Sequence, residues 1–304
     1  MSSLPLRTVY RPARPLDLVA TLGPLRRGTG DPCQRLAADG TLWRTFRTPA
    51  GPGTLALQRA AAGPVAATAW GAGAEWLLDA LPDLLGAGDD DADFVPGPRL
   101  RDAARRHAGV RVPRCRLVLE MVVPAVLEQK VTGEQARQAW RYLLRRYGSP
   151  APGPAPAGML VFPPPQVWRR VPSWEWHRAG VDPDRSRAVL TAAGVAGRLE
   201  ETAGMGMEAA RQRLRAVPGI GAWTVAEVMQ RAHGDADAVS VGDFHLAAQV
   251  GWALAARPVD DAGMLELLKP WRGQRYRAVR LLLLSSPRKP RFGPRYAPQD
   301  LRAC

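Results

Sequence analysis

Strand-forming side chains in this 304-residue chain concentrate in residues 36 to 70 and nearly vanish beyond residue 98. Sheet and helices must therefore come from separate stretches, which predicts an α+β class rather than alternating βα units. Asp39-Gly40 is a hairpin-type turn, and Leu42 to Thr48 is rich in β-favouring side chains. A Gly/Pro stretch from Pro49 to Gly53 separates that run from Thr54 to Gln58, and Val65 to Trp70 is a third candidate. From Glu75 to Leu85 the spacing of Trp76, Leu77, Ala80, Leu81 and Leu84 changes to a helical period, interrupted by Pro82. Residues 1–95 are expected to form a small mixed α/β domain around an antiparallel sheet.

The small and acidic run Gly86 to Asp93, followed by Pro96-Gly97-Pro98, predicts a linker or boundary over residues 86–98. Leu117 through Tyr147 reads as two helices or one interrupted one. Val118, Met121, Val122, Ala125, Val126 and Gln129 lie on one side, and Arg137, Arg141, Arg145 and Arg146 are exposed candidates. Ser149 to Pro156 is too proline-rich for a helix and is expected to be a surface loop. Helical segments follow at about 183–197, 206–216, 221–233, 243–256, 260–269 and 273–285. Residues 96–286 are thus expected to be all-α, with a basic flexible tail over 287–304.

Two helices meet at Val217-Pro218-Gly219-Ile220-Gly221-Ala222. Glycines at 219 and 221 let main-chain N–H groups approach a phosphate, and the helix starting there adds its positive dipole end. Ile220 can plug the joint and Pro218 stiffens the entry. An ordinary αα-corner would also satisfy a single Gly-x-Gly. Beyond it, Val239 to Leu246 places Asp243 after an extended apolar stretch, at the start of the next helix. Taken alone, Asp243 is an N-cap.

The formal charge of +14 suits a polyanion, either nucleic acid or an anionic membrane. Only three lysines occur, Lys130, Lys269 and Lys289, so nearly all of it is arginine, which a G+C-rich coding sequence also produces. No run of about 18 apolar residues is present to span a bilayer, and the N-terminus has no apolar secretory region. A cytoplasmic, soluble protein is expected. Cys33, Cys115 and Cys304 are odd in number and far apart, and His107, His177, His233 and His245 lack paired ligand spacing. Neither a disulfide framework nor a structural zinc site is expected.

The Leu-x-x-x-Pro-Gly-Ile-Gly hairpin followed by Asp243 is similar to the helix-hairpin-helix (HhH-GPD) DNA glycosylase superfamily, and it most resembles the AlkA-like 3-methyladenine DNA glycosylase II branch. Three further stretches agree in order: Leu127-Glu128-Gln129-Lys130-Val131-Thr132, Phe162-Pro163-Pro164-Pro165-Gln166 and Lys269-Pro270-Trp271-Arg272. The likeness covers roughly residues 115 to 285. It implies a mixed N-terminal domain before two helical lobes, with the catalytic carboxylate, Asp243, at the cleft between them.

The same resemblance implies a monomer acting on double-stranded DNA with damaged bases, no membrane partner and no cofactor. The resemblance also implies a possible monovalent cation at the hairpin backbone, near Gly219 and Gly221, where the family often holds one. Gly219, Ile220, Gly221, Ala222 and Thr224 would hold DNA beside the flipped nucleotide, with Gln129 and Lys130 near the gap it leaves. Arg272, Arg275 and Arg280 are further candidates for phosphate contact. Trp223, Phe244 and Glu227 map to the base pocket. Trp223 and Phe244 match its aromatic positions; Glu227 replaces a tyrosine, and a leucine near Leu282 replaces a tryptophan. Glu227 suits a cationic base or, preferably, a nearby arginine. Trp223 also stands where bifunctional relatives carry a Schiff-base lysine, so no lyase activity is expected.

Release of a damaged base builds positive charge on the sugar, which a fixed carboxylate stabilises. Alkylated purines such as 3-methyladenine are cationic and leave readily, so an aromatic face can recognise them. Glycosylases for hypoxanthine or ethenoadenine, and a non-catalytic helix-hairpin-helix DNA-binding protein, are the alternatives. Iron–sulfur members need four cysteines, which this chain lacks.

Overall fold

The computed structural model describes residues 4–59 and 63–285; the basic tail at 287–304 lies outside them. Five strands form one antiparallel sheet in the order β1-β5-β4-β3-β2. They are β1 (Leu6–Tyr10), β2 (Gln34–Leu36), β3 (Leu42–Thr48), β4 (Gly51–Arg59) and β5 (Val65–Trp70). The pairs Leu42↔Leu57 and Leu55↔Ala69 fix the central register and align apolar side chains on the buried side. Trp43 and Trp70, on the outer strands of that trio, stack at 5.5 Å between centroids. The three expected strands are present; β1, β2 and the short helix α1 (Leu18–Leu22) lie outside the run that composition singled out.

Pro82 splits the helical stretch after the sheet into α2 (Ala74–Asp79) and α3 (Leu81–Leu84). Then come α4 (Gly97–Arg106), α5 (Val118–Leu127) and α6 (Gly133–Tyr147). The Thr132–Gln135 capping box opens α6. The proline-rich stretch after α6 is not wholly a loop. Ser149–Pro150 (β6) pairs with Leu160–Val161 (β7), leaving Pro152 to Pro156 to cross the gap. Short α7 (Pro165–Trp168) and α8 (Ser173–Arg178) carry a ladder of aromatics, Phe162, Trp168 and Trp176, with centroids 5.3 and 5.9 Å apart. Each such pair adds about 0.5–1.5 kcal/mol beyond its area burial. The chain continues through α9 (Pro183–Gly194), α10 (Ala196–Glu200), α11 (Met207–Arg215) and α12 (Ala222–Val228), which widens to a π turn over Met229–His233. It ends in α13 (Leu246–Ala255), α14 (Asp261–Leu268) and α15 (Arg275–Ser285).

Two hydrophobic cores organise these elements. One joins the inner face of the sheet to α5, α6, α9 and α12; the other gathers α4, α13, α14 and α15. Two expectations change accordingly, and one placement is new. Helix α5 is not one-sided: every residue from Val118 to Leu127 is buried, because the sheet covers one side and the helices the rest. The run at 86–98 is not a free linker: Asp89 is buried, accepts the Val112 N–H and pairs with Arg277 of α15. Finally, α4 leaves its sequence neighbours and packs on α15, so the second lobe draws on both sides of the first.

Candidate active site at the lobe junction

Helices α11 and α12 are joined by a tight turn in which the Ile220 N–H donates to the Val217 carbonyl at 3.0 Å. Ile220 is buried and plugs the joint. Gly219 adopts φ +85°, where a Cβ would also lie 2.5 Å from the Ala188 Cβ of α9. Gly221 begins α12 with no side-chain cap, so the first-turn N–H groups at Ala222 and Trp223 carry no capping side chain. Gly219, Gly221 and Ala222 are exposed.

The turn after α5 is tied to this hairpin. Gln129 Nε2 donates to the Gly219 carbonyl at 3.0 Å and to Thr224 Oγ1 at 2.8 Å. Thr224, named as a phosphate contact, is only 1% exposed and serves here as an anchor for Gln129. Gln129 likewise spends its amide on the hairpin. Lys130, next in the chain, is exposed and holds φ +54°, which turns it out of the α5 direction. A cation at the hairpin would draw on backbone carbonyls. Two of them are already committed, Gly219 to Gln129 and Gly221 to the Val225 N–H, so it would share their second lone pairs. Among the described residues no three His, Cys, Asp or Glu side chains converge as a metal-binding group.

Asp243 sits where the two lobes meet. Its Oδ1 accepts the N–H groups of His245 and Leu246 at 2.8 and 2.9 Å, the geometry of a cap at the start of α13. Its Oδ2 accepts Trp223 Nε1–H at 3.2 Å, so the carboxylate bridges the second lobe to the hairpin helix of the first. The helix expected from residue 243 begins at Leu246, after a turn that Asp243 closes by accepting the His245 and Leu246 N–H groups. Asp243 and Trp223 are half-buried.

The structure brings Trp223 to Asp243, but it does not bring all the expected pocket residues together. Phe244 is 82% exposed, and its ring meets His245 edge-on at 4.9 Å. Glu227 is 8% exposed, paired with Arg231 at 2.8 Å and accepting the Ser240 hydroxyl at 2.6 Å. The arginine rather than a cationic base thus meets its charge. Leu282 lies in the core of the second lobe. Arg275 pairs with Asp237 at 2.5 Å, and Arg280 donates to the Ala20 carbonyl at 2.6 Å, so both brace the fold. Sequence reasoning missed Gln230, Arg231 and Ser240; the four-residue spacing of Glu227 and Arg231 was the one available signal.

No protein-family model matches the chain. Over 170 residues it is 31% identical to the "probable bifunctional transcriptional activator/DNA repair enzyme AlkA" of Mycobacterium tuberculosis, a segment that is 55% of this chain and 32% of the relative. The chain therefore spans about a third of the length of the curated relatives it matches. Among solved structures, the 3-methyladenine DNA glycosylase of Archaeoglobus fulgidus superposes with a TM-score of 0.75 at 16% identity, over 91% of this chain and 97% of that one. The Clostridium acetobutylicum 8-oxoguanine glycosylase/lyase in its apo-form gives 0.70 at 10% identity, over 93% and 97%. The architecture is therefore that of these DNA glycosylases: an N-terminal sheet unit with a two-lobed helical body, as the AlkA-like motifs implied.

Proposed function

We propose that this protein is a DNA glycosylase of base excision repair, monofunctional and directed at alkylated purines of the 3-methyladenine type. One observation carries this reading: the Asp243 carboxylate stands at the lobe junction, joined to Trp223 beside a hairpin whose glycine turn is open to solvent. The AlkA-like relative and the glycosylase fold support the general activity. Duplex DNA is the substrate, held through phosphates at the exposed backbone of Gly219, Gly221 and Ala222, with Lys130 near the gap left by the extruded nucleotide.

Extrusion of the base brings its sugar to the junction. As the glycosidic bond lengthens, positive charge grows on the sugar and the Asp243 carboxylate stabilises it. Three N–H groups fix that carboxylate, so little reorganisation is needed when the charge develops. Trp223 binds Asp243 through its indole edge and keeps its faces for a cationic purine. It has no amine for a Schiff base, so water adds at the C1′ that the base leaves, gives up a proton, and the reaction ends at the abasic site.

The test is base release from methylated duplex DNA, read by mass spectrometry. Native protein should free 3-methyladenine, and Asp243→Asn should slow release by at least about 100-fold. Asparagine caps helices as well as aspartate does, so the variant should fold and bind DNA normally. Equal release by the variant would leave Asp243 as a cap only. Profiling hypoxanthine and ethenoadenine in the same assay sets the substrate range, and a borohydride-trapped adduct would contradict the monofunctional assignment.

A further inference from the structure

The loop that carries Asp243 is gripped from the hairpin helix by a closed ring of side chains, three of them buried and the fourth, Arg231, mostly so. Glu227 stands one helical turn beyond Trp223. Its Oε2 pairs with Arg231, and its Oε1 accepts the Ser240 hydroxyl. The Ser240 oxygen in turn accepts Gln230 Nε2–H at 2.9 Å, and Gln230 Oε1 accepts from Arg231 at 3.2 Å, which closes the ring. Gln230 also donates to the Ala238 carbonyl at 2.9 Å. Two positions of the loop are thereby pinned to the first lobe, and the Ser240 carbonyl accepts the Asp243 N–H at 3.3 Å. Arg231 Nε donates to the Pro24 carbonyl at 2.8 Å, so the ring is anchored in the N-terminal unit as well.

A buried carboxylate–guanidinium pair gains little over apolar packing, because desolvation offsets its attraction. What such a pair does supply is direction. A hydroxyl that donates to a carboxylate and accepts from an amide has one orientation, and its backbone follows.

We propose that Glu227 is a positioning residue: with Arg231 it orients Ser240, which sets where the Asp243 carboxylate stands relative to Trp223. This rests on Asp243 being the glycosylase carboxylate, and it assigns Glu227 a place behind the site rather than in contact with the base. The geometry predicts a rate effect without a binding effect.

Glu227→Gln, which cannot match the arginine charge, and Ser240→Ala, which opens the ring, should each slow single-turnover excision on the order of 10- to 100-fold. Affinity for duplex carrying an abasic analogue should be unchanged, and Ser240→Thr, which keeps the hydroxyl, should recover most of the rate. Hydrogen exchange over residues 238–246 should quicken in Glu227→Gln and Ser240→Ala and stay native over 214–224. If Glu227→Gln fails to fold, Ser240→Ala with its threonine rescue carries the comparison. Native rates together with native exchange at 238–246 would overturn the proposal. If the native protein releases no base, the glycosylase reading fails, and the exchange comparison then decides whether the ring holds the loop.

Discussion

Gly219 and Gly221 lie two residues apart in one turn and answer to different constraints. At Gly219 the left-handed backbone and the nearby Ala188 Cβ both exclude a side chain. Gly221 has φ −85°, and an added Cβ would meet nothing within 4 Å. Gly219→Ala should therefore cost about 2–4 kcal/mol through backbone strain and overpacking. Gly221→Ala should stay within about 0.5 kcal/mol of native. Urea denaturation measures both, and a Gly219→Ala protein as stable as native would show that α9 yields to it. Because Gly221→Ala leaves the fold intact, any affinity it loses for duplex DNA reports how closely a phosphate approaches that backbone. The glycine pair was legible in the sequence. The difference between its members was not, since the Ala188 contact comes from a helix that no local pattern links to the turn.

Helix α12 continues into the π turn at Met229–His233, and its last residue carries a pH signature. His233 is buried, and its Nε2 lies 3.0 Å from Thr202 Oγ1. Burial pushes its pKa down to about 4, and the Arg114 charge adds to the shift. The native state thus keeps His233 neutral, whereas the unfolded chain takes up a proton near pH 6.5. Stability from this group is complete above that pH and declines as pH falls toward 4, by roughly 3 kcal/mol in all. His233→Gln should lose that part of the slope in denaturation curves collected between pH 7.5 and 4, and an unchanged slope would contradict it. At this scale the sequence was informative where one element obeys one rule. Strands β3 to β5 show their β-rich composition, and the capped α6 shows its period. It was silent on β1, which is exposed along most of its length, and misleading for α5, whose one-sided pattern gives way to burial on every side.

Across the whole molecule the sheet unit and the first helical lobe share one core, and a buried charge cluster fastens them. Arg44 of β3 pairs with Glu120 of α5 at 3.0 Å and stands 3.8 Å from Asp31, while Glu120 also accepts the Arg47 N–H. Burial raises the Glu120 pKa, and the Arg44 charge works against that rise. None of this was legible in advance: Arg44 and Glu120 are 76 positions apart, and each looks like a surface charge until both faces around it are covered. Arg44→Met leaves two buried carboxylates, Asp31 and Glu120, without the guanidinium they share and should cost about 3–5 kcal/mol near neutral pH. Glu120→Gln keeps an acceptor for the Arg47 N–H and should cost less, about 1–3 kcal/mol. A shared core also requires the two units to open together. In rising urea, exchange at strands 42–59 and at helix 118–127 should lose protection at the same concentration in the native protein. If the strands open first while the helix stays protected, the sheet is an independent unit and its contact with α5 is not what holds either of them.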